Sequence, residues 1–141
     1  MSSVLEPTTL NAIAAYLDGR TRDFQQLGQE FWAVFGAGDN DRISSQVRNL
    51  QQVAVSATRF GDVEDFVKNQ MGRTTAGADL WRRVGPGLLQ QLDTLRQEAA
   101  RMAAEPAARL RVALQLARGW VRTVVSEYLY RKAQAATGGR R

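Results

Sequence analysis

Residues 106–136 read PAARLRVALQLARGWVRTVVSEYLYRKAQAA. Within this stretch Leu110, Ala113, Leu114, Ala117, Val121, Val124, Val125 and Tyr128 recur at steps of three and four, the spacing that lines one side of an α-helix. The same period holds upstream, and no segment alternates apolar and polar residues for long enough to argue a sheet. The fold class that follows is all-α.

Working outward from that helix, the spacing predicts four more. The first starts after Thr8 or Thr9 as N-cap and carries Leu10, Ile13, Ala14, Leu17, Phe24, Leu27, Phe31, Val34 and Phe35, with a weaker turn near Gly19–Arg22. Gly36–Asp41 is a loop by composition. A second helix opens at Ser44 or Ser45, turns Val47, Leu50, Val53, Ala54 and Ala57 inward, and ends near Phe60-Gly61. Asp62 caps a short third helix with Val63, Phe66, Val67 and Met71, ending at Gly72, after which Gly72–Gly77 forms another loop. Leu80, Trp81 and Val84 form a helical lead-in that Gly85-Pro86-Gly87 interrupts. Pro86 then fits the first turn of a fourth helix bearing Leu88, Leu89, Leu92, Leu95, Ala99 and Met102. Glu105 caps the last, which runs from about Pro106 to Ala136. The expected architecture is a five-helix bundle framed by long first and last helices, one domain over residues 1–136, with a basic flexible tail at 137–141.

Composition narrows the chemistry. The 141 residues include no cysteine and no histidine. Disulfides, thiolate metal sites, thiol catalysis, Ser/His/Asp triads and histidine-dependent nuclease chemistry are therefore excluded. The acidic residues are scattered, so the chain is expected to be no enzyme and to need no metal or other cofactor. Neither Gly85-Pro86-Gly87 nor Gly36-Ala37-Gly38 has the spacing of a phosphate loop or a dinucleotide fingerprint. No apolar run approaches the roughly 18 residues that cross a bilayer, and the opening lacks the basic start and apolar stretch of a signal peptide. A cytoplasmic location without membrane contact is the expectation.

Charge is the informative feature. The formal net charge is +5, yet residues 1–100 hold ten Lys+Arg against twelve Asp+Glu, a balance of −2. Residues 101–141 hold nine Lys+Arg against Glu105 and Glu127, a balance of +7. Seventeen of the nineteen cations are arginine, whose planar fork suits phosphate and stacks on bases. GC-rich codon usage also raises arginine, but does not cluster it.

Three groups of residues are candidates for that charge's work. On the last helix Arg111, Gln115, Arg118 and Arg122 recur at steps of four, three and four, one polar strip suited to a phosphate backbone or to plain solvation. On the second helix Ser45, Gln46, Arg48, Asn49 and Gln52 make an amide-rich face, followed by Arg59 and then by Lys68, Gln70 and Arg73. Such a face binds sugars, base edges or a partner's backbone, or simply meets water. Trp81-Arg82-Arg83 places an aromatic beside two arginines, either to stack a base or, the favoured reading, as a core anchor with its arginines in solvent.

The segment Ile43-Ser44-Ser45-Gln46-Val47-Arg48-Asn49-Leu50 resembles the helix opening of the small all-helical subunits of type III CRISPR effector complexes, with a Ser/Thr cap followed by Gln, an aliphatic residue and Arg. Met71-Gly72-Arg73 is similar to the Gly-Arg ending of a basic helix in that family. The resemblance implies a subunit that performs no chemistry, stacks along a ribonucleoprotein with copies of itself and other subunits, and helps hold RNA and/or single-stranded DNA, as the guide–target duplex or the displaced strand, through backbone contacts. It implicates Gln46, Arg48 and Arg73. This chain departs from the family in its long first helix and in carrying most of its cations after residue 100. The competing readings are a helical interaction or oligomerisation module that sets its arginines on an acidic protein, a helix-turn-helix DNA reader and a carboxylate-dependent enzyme.

Overall fold

The computed structural model describes residues 5–36, 41–74 and 77–138, and among them every regular element is helical. Six helices follow in order: α1 (Pro7–Gly19), α2 (Thr21–Phe35), α3 (Asp41–Ser56), α4 (Phe60–Gly72), α5 (Ala78–Met102) and α6 (Pro106–Gly138). The count corrects the expected five. The long first helix is broken at Arg20, which lies at φ −107°, ψ 7°. There Thr21 Oγ1 donates to the carbonyls of Leu17 and Asp18, satisfying α1's last acceptors from outside the backbone ladder. The apolar period runs across the break because both helices lean on the same neighbour.

Several boundaries also move. Helix α1 begins at Pro7, whose fixed φ and missing N–H suit the first turn, so neither Thr8 nor Thr9 is its cap. Helix α3 begins at Asp41, ahead of Ser44, and ends at Ser56. Arg59 precedes α4, leaving Asp62 within its first turn. Gly85-Pro86-Gly87 does not interrupt α5, which runs through as one helix. Its buried stripe of Trp81, Val84, Leu88, Leu92 and Leu95 is continuous across Pro86, and that packing outweighs one lost backbone hydrogen bond. Gly85 serves contact rather than punctuation: a Cβ there would lie 2.3 Å from Met71 Sδ, so the Met71 side chain lies directly over the glycine. Of the expected loop at 36–41 and the tail at 137–141, residues 37–40 and 139–141 lie outside the described residues, while Thr137 is helical.

Helix α6 is the axis of the bundle, packed against each of the other five. Its start is capped as its sequence suggests, with Glu105 accepting the N–H groups of Ala107 and Ala108. Those bonds, the one from Ala108 foremost, hold the Glu105 carboxyl below its ordinary pKa. Beyond the expected stripe, Val112, Leu116 and Trp120 are also buried, because neighbours cover α6 on several sides. Leu110, assigned to the stripe, is 40% exposed. One contiguous core joins all six helices. At one end Phe31, Phe35, Phe66 and Trp81 meet in edge-on and tilted ring contacts, with Tyr128 of α6 against Phe31 and Phe35.

The α2–α6 contact depends on Gly28. A Cβ on Gly28 would sit 2.5 Å from the Val124 carbonyl oxygen and 2.7 Å from Glu127 Cβ. In an open helix Gly→Ala stabilises by about 1 kcal/mol. Here overpacking against backbone opposes it by about 1–3 kcal/mol. Gly28→Ala is therefore expected to lower the melting temperature. Gly19→Ala, with nothing within 4 Å of its Cβ, should not. Thermal melts followed by circular dichroism check both, and an unchanged or higher Tm for Gly28→Ala would refute the close approach.

Candidate nucleic-acid interface

Two contacts set how α3 lies on α6. Near the start of α3, Ser44 Oγ accepts from Lys132 Nζ near the end of α6. Beyond the end of α3, Phe60 shares a groove with Pro106, Arg109, Leu110 and Ala113 at the start of α6. The two helices are therefore antiparallel. Counting from the Ser44–Lys132 pair at about 1.5 Å per residue puts Arg48 level with Tyr128 and Val55 level with Val121.

That register brings two of the sequence-derived polar faces together. On α6, Arg111, Gln115 and Arg122 are exposed and Arg118 is half-buried. At about 100° per residue Arg111, Arg118, Arg122 and Leu129 fall within about 40° of one line. Arg111 to Arg122 covers about 16 Å along that line. On α3, Ser45, Arg48, Asn49 and Gln52 are exposed, and Arg48 and Gln52 share a groove with Leu129 of α6. Arg59 stands at the α3–α4 corner next to the start of α6, its guanidinium Nε 3.9 Å from Asp62.

No acidic residue occurs between Arg42 and Gly61, or between Pro106 and Ser126. Several other surface arginines are neutralised at short range, as in Arg20–Asp23 at 3.2 Å and Arg131–Glu127 at 2.8 Å, while Arg22, Arg73 and Arg83 are exposed without an ion pair among the described residues. Among the described residues Arg48, Arg111, Arg118 and Arg122 have no carboxylate within ion-pair distance. Arg118 Nε is buried with no hydrogen-bond partner among the described residues. The result is a one-sided cationic surface that the protein itself does not balance.

The remaining candidates fall elsewhere. Lys68, Arg73, Arg82 and Arg83 gather where the end of α4 meets the start of α5. Arg82 is committed to the fold, since its Nε and Nη2 donate to the carbonyls of Met71 and Arg73 and its Nη1 pairs with Asp79 at 2.7 Å. It closes the C-terminal end of α4, which leaves four carbonyls without helical donors. Lys68, Arg73 and Arg83 are exposed, and Asp65 and Asp79 intersperse them, so this end presents mixed charge.

Gln46 is half-buried, and its Oε1 accepts from the Trp81 indole at 2.8 Å. The family-like glutamine thus holds the aromatic core together. Trp81 is fully buried, which removes it as a stacking platform. Trp120 is held in the same way by Gln91 at 2.8 Å.

Residues that sequence reasoning passed over include Gln51, Val55 and Leu129. With Arg48, Gln52 and Ser56 they line an open groove of about 520 Å³ between α3 and α6. Val55 is 51% exposed there, an apolar residue on a polar face and the one signal that could have found it. Among the described residues no three carboxylates converge, and no helix is long and apolar enough to cross a membrane. No family model, curated protein or solved structure matches the chain.

Proposed function

We propose that this chain is a non-catalytic, nucleic-acid-binding helical subunit that contacts the phosphate backbone through the joint face of α3 and α6. The observation that carries the reading is the acid-free run of Arg48, Arg111, Arg118 and Arg122 across two adjacent helices, unpaired among the described residues. A merely solvated surface intersperses both signs, as the rest of this protein does. Arginine without local carboxylates is a standing demand for external anions, and phosphates at regular spacing answer it along a rigid helix. The absence of cysteine and histidine supports a role in holding rather than cutting.

The resemblance at Ile43–Leu50 and Met71–Arg73 supports placing the subunit in a CRISPR-type ribonucleoprotein effector. There stacked copies would extend the face along a strand and supply avidity that one subunit lacks. Of the residues that the resemblance implicates, Arg48 lies on the joint face, Arg73 lies at the α4–α5 end and Gln46 is engaged by Trp81. The alternative, an interaction module for an acidic protein, draws on the same arginines and on the exposed Val55.

The test is the salt dependence of binding. Each neutralised phosphate contributes about 0.7–0.9 to the slope of log affinity against log salt. With four or five arginines engaged, affinity for RNA or DNA measured by fluorescence anisotropy between 50 and 200 mM salt should show a slope of about −3 to −4.5. A slope near zero, or no binding by the protein either alone or in its assembled complex, would overturn the reading.

A further inference from the structure

The groove between α3 and α6 has a floor that phosphate contact does not explain. Its apolar part is Val55, 51% exposed, and the half-buried Leu129, while Arg48, Gln51, Gln52 and Ser56 complete the lining. The Ser56 hydroxyl is used locally, donating to the Gln52 carbonyl at 2.8 Å. The side chains of Arg48, Gln51 and Gln52 make no hydrogen bond or ion pair among the described residues. Arg122 stands on the line of Leu129 two turns earlier on α6, about 10 Å along the helix from the residue that walls the groove.

Resting on the phosphate reading above, we infer that this groove seats one unpaired nucleobase of a strand whose phosphates lie on Arg48, Arg118 and Arg122. The subunit's ligand class is then single-stranded nucleic acid rather than duplex. An apolar floor takes the flat face of a base, a guanidinium stacks on such a face, and free amides address its edges. In a duplex the bases are stacked inside and cannot reach a groove beside the backbone contacts. A protein partner fits less well. A docking helix needs a row of apolar pockets at i, i+3, i+4 and i+7, and this floor has two apolar side chains. The acid-free rim complements a polyanion along its whole length.

The test uses the full-length protein and four probes of equal length: a single-stranded oligonucleotide, the corresponding duplex, a single strand abasic throughout, and an acidic peptide of alternating Glu and Leu. The single strand is expected to bind more tightly than the duplex at equal salt. The abasic strand keeps every phosphate and should lose about five- to hundredfold in affinity, the range that one stacked base contributes. Val55→Ser, at an exposed position that should leave the melt unchanged, is expected to weaken the single strand several-fold without altering the salt slope. Arg48→Gln should instead lower that slope. Equal binding of intact and abasic strands, or tighter binding of duplex, would overturn the base-seating inference while leaving the phosphate reading in place. Peptide binding that Val55→Ser abolishes, with intact and abasic strands indistinguishable, would assign the groove to a protein. Salt-independent binding of every nucleic acid would fail the phosphate reading itself.

Discussion

Leu116→Asp is expected to yield a protein that does not fold. Leu116 is fully buried on α6, the helix that every other helix packs against. Removing a buried leucine costs about 2–5 kcal/mol, and an unpaired carboxylate in its place adds several more. Domains of this size are stable by about 5–15 kcal/mol, so the substitution consumes most or all of the margin. Circular dichroism should show loss of the helical signal and of the cooperative melt. Leu110→Asp is the matched control: at 40% exposure the same chemical change should shift stability by about 0.5 kcal/mol or less. A folded Leu116→Asp protein, or an unfolded Leu110→Asp protein, would show that α6 is not buried as described.

Replacing Arg111, Arg118 and Arg122 together by Gln should lower the salt slope of nucleic-acid binding by about 2–3 while leaving the fold intact. Gln keeps the length of the side chain and good helix propensity, and none of the three arginines makes an ion pair among the described residues. The structure divides the two arginines that the family resemblance had grouped. Arg48→Gln should act with the α6 variant, because Arg48 lies across from α6 on the same face. Arg73→Gln should leave binding unchanged. It belongs to the α4–α5 end, where its backbone carbonyl rather than its guanidinium is used, by Arg82. Anisotropy titrations of the triple variant and both single variants at several salt concentrations decide the matter. Loss of binding in Arg73→Gln with none in the triple variant would move the interface to the α4–α5 end.

Much of this is legible in the sequence. The three-and-four spacing from Leu110 to Tyr128 required a helix, Glu105 was placed to cap it, and the missing cysteine and histidine bounded the chemistry. Trp81 as a core anchor was the favoured reading, and burial among Phe31, Phe35 and Phe66 agrees with it. Less legible were the breaks. Pro86 and its two glycines read as an interruption by local rules, but a continuous buried stripe carries α5 through them. Gly19–Arg22 read as a weak turn inside one helix, but Thr21 takes the carbonyls that would have continued it.

Helical period and charge are local properties, written within a turn or two of chain, so the sequence by itself determined the all-α class and the arginine strip on α6. Which side chains are spent is a long-range matter. Gln46 and Trp81 are 35 residues apart and Arg82 and Met71 are 11 apart, so nothing in either neighbourhood announces that the glutamine and the arginine belong to the fold. The joining of the two polar faces is likewise decided by packing. Arg48 and Arg122 lie 74 residues apart in sequence, and only the antiparallel seating of α3 on α6 makes them one surface.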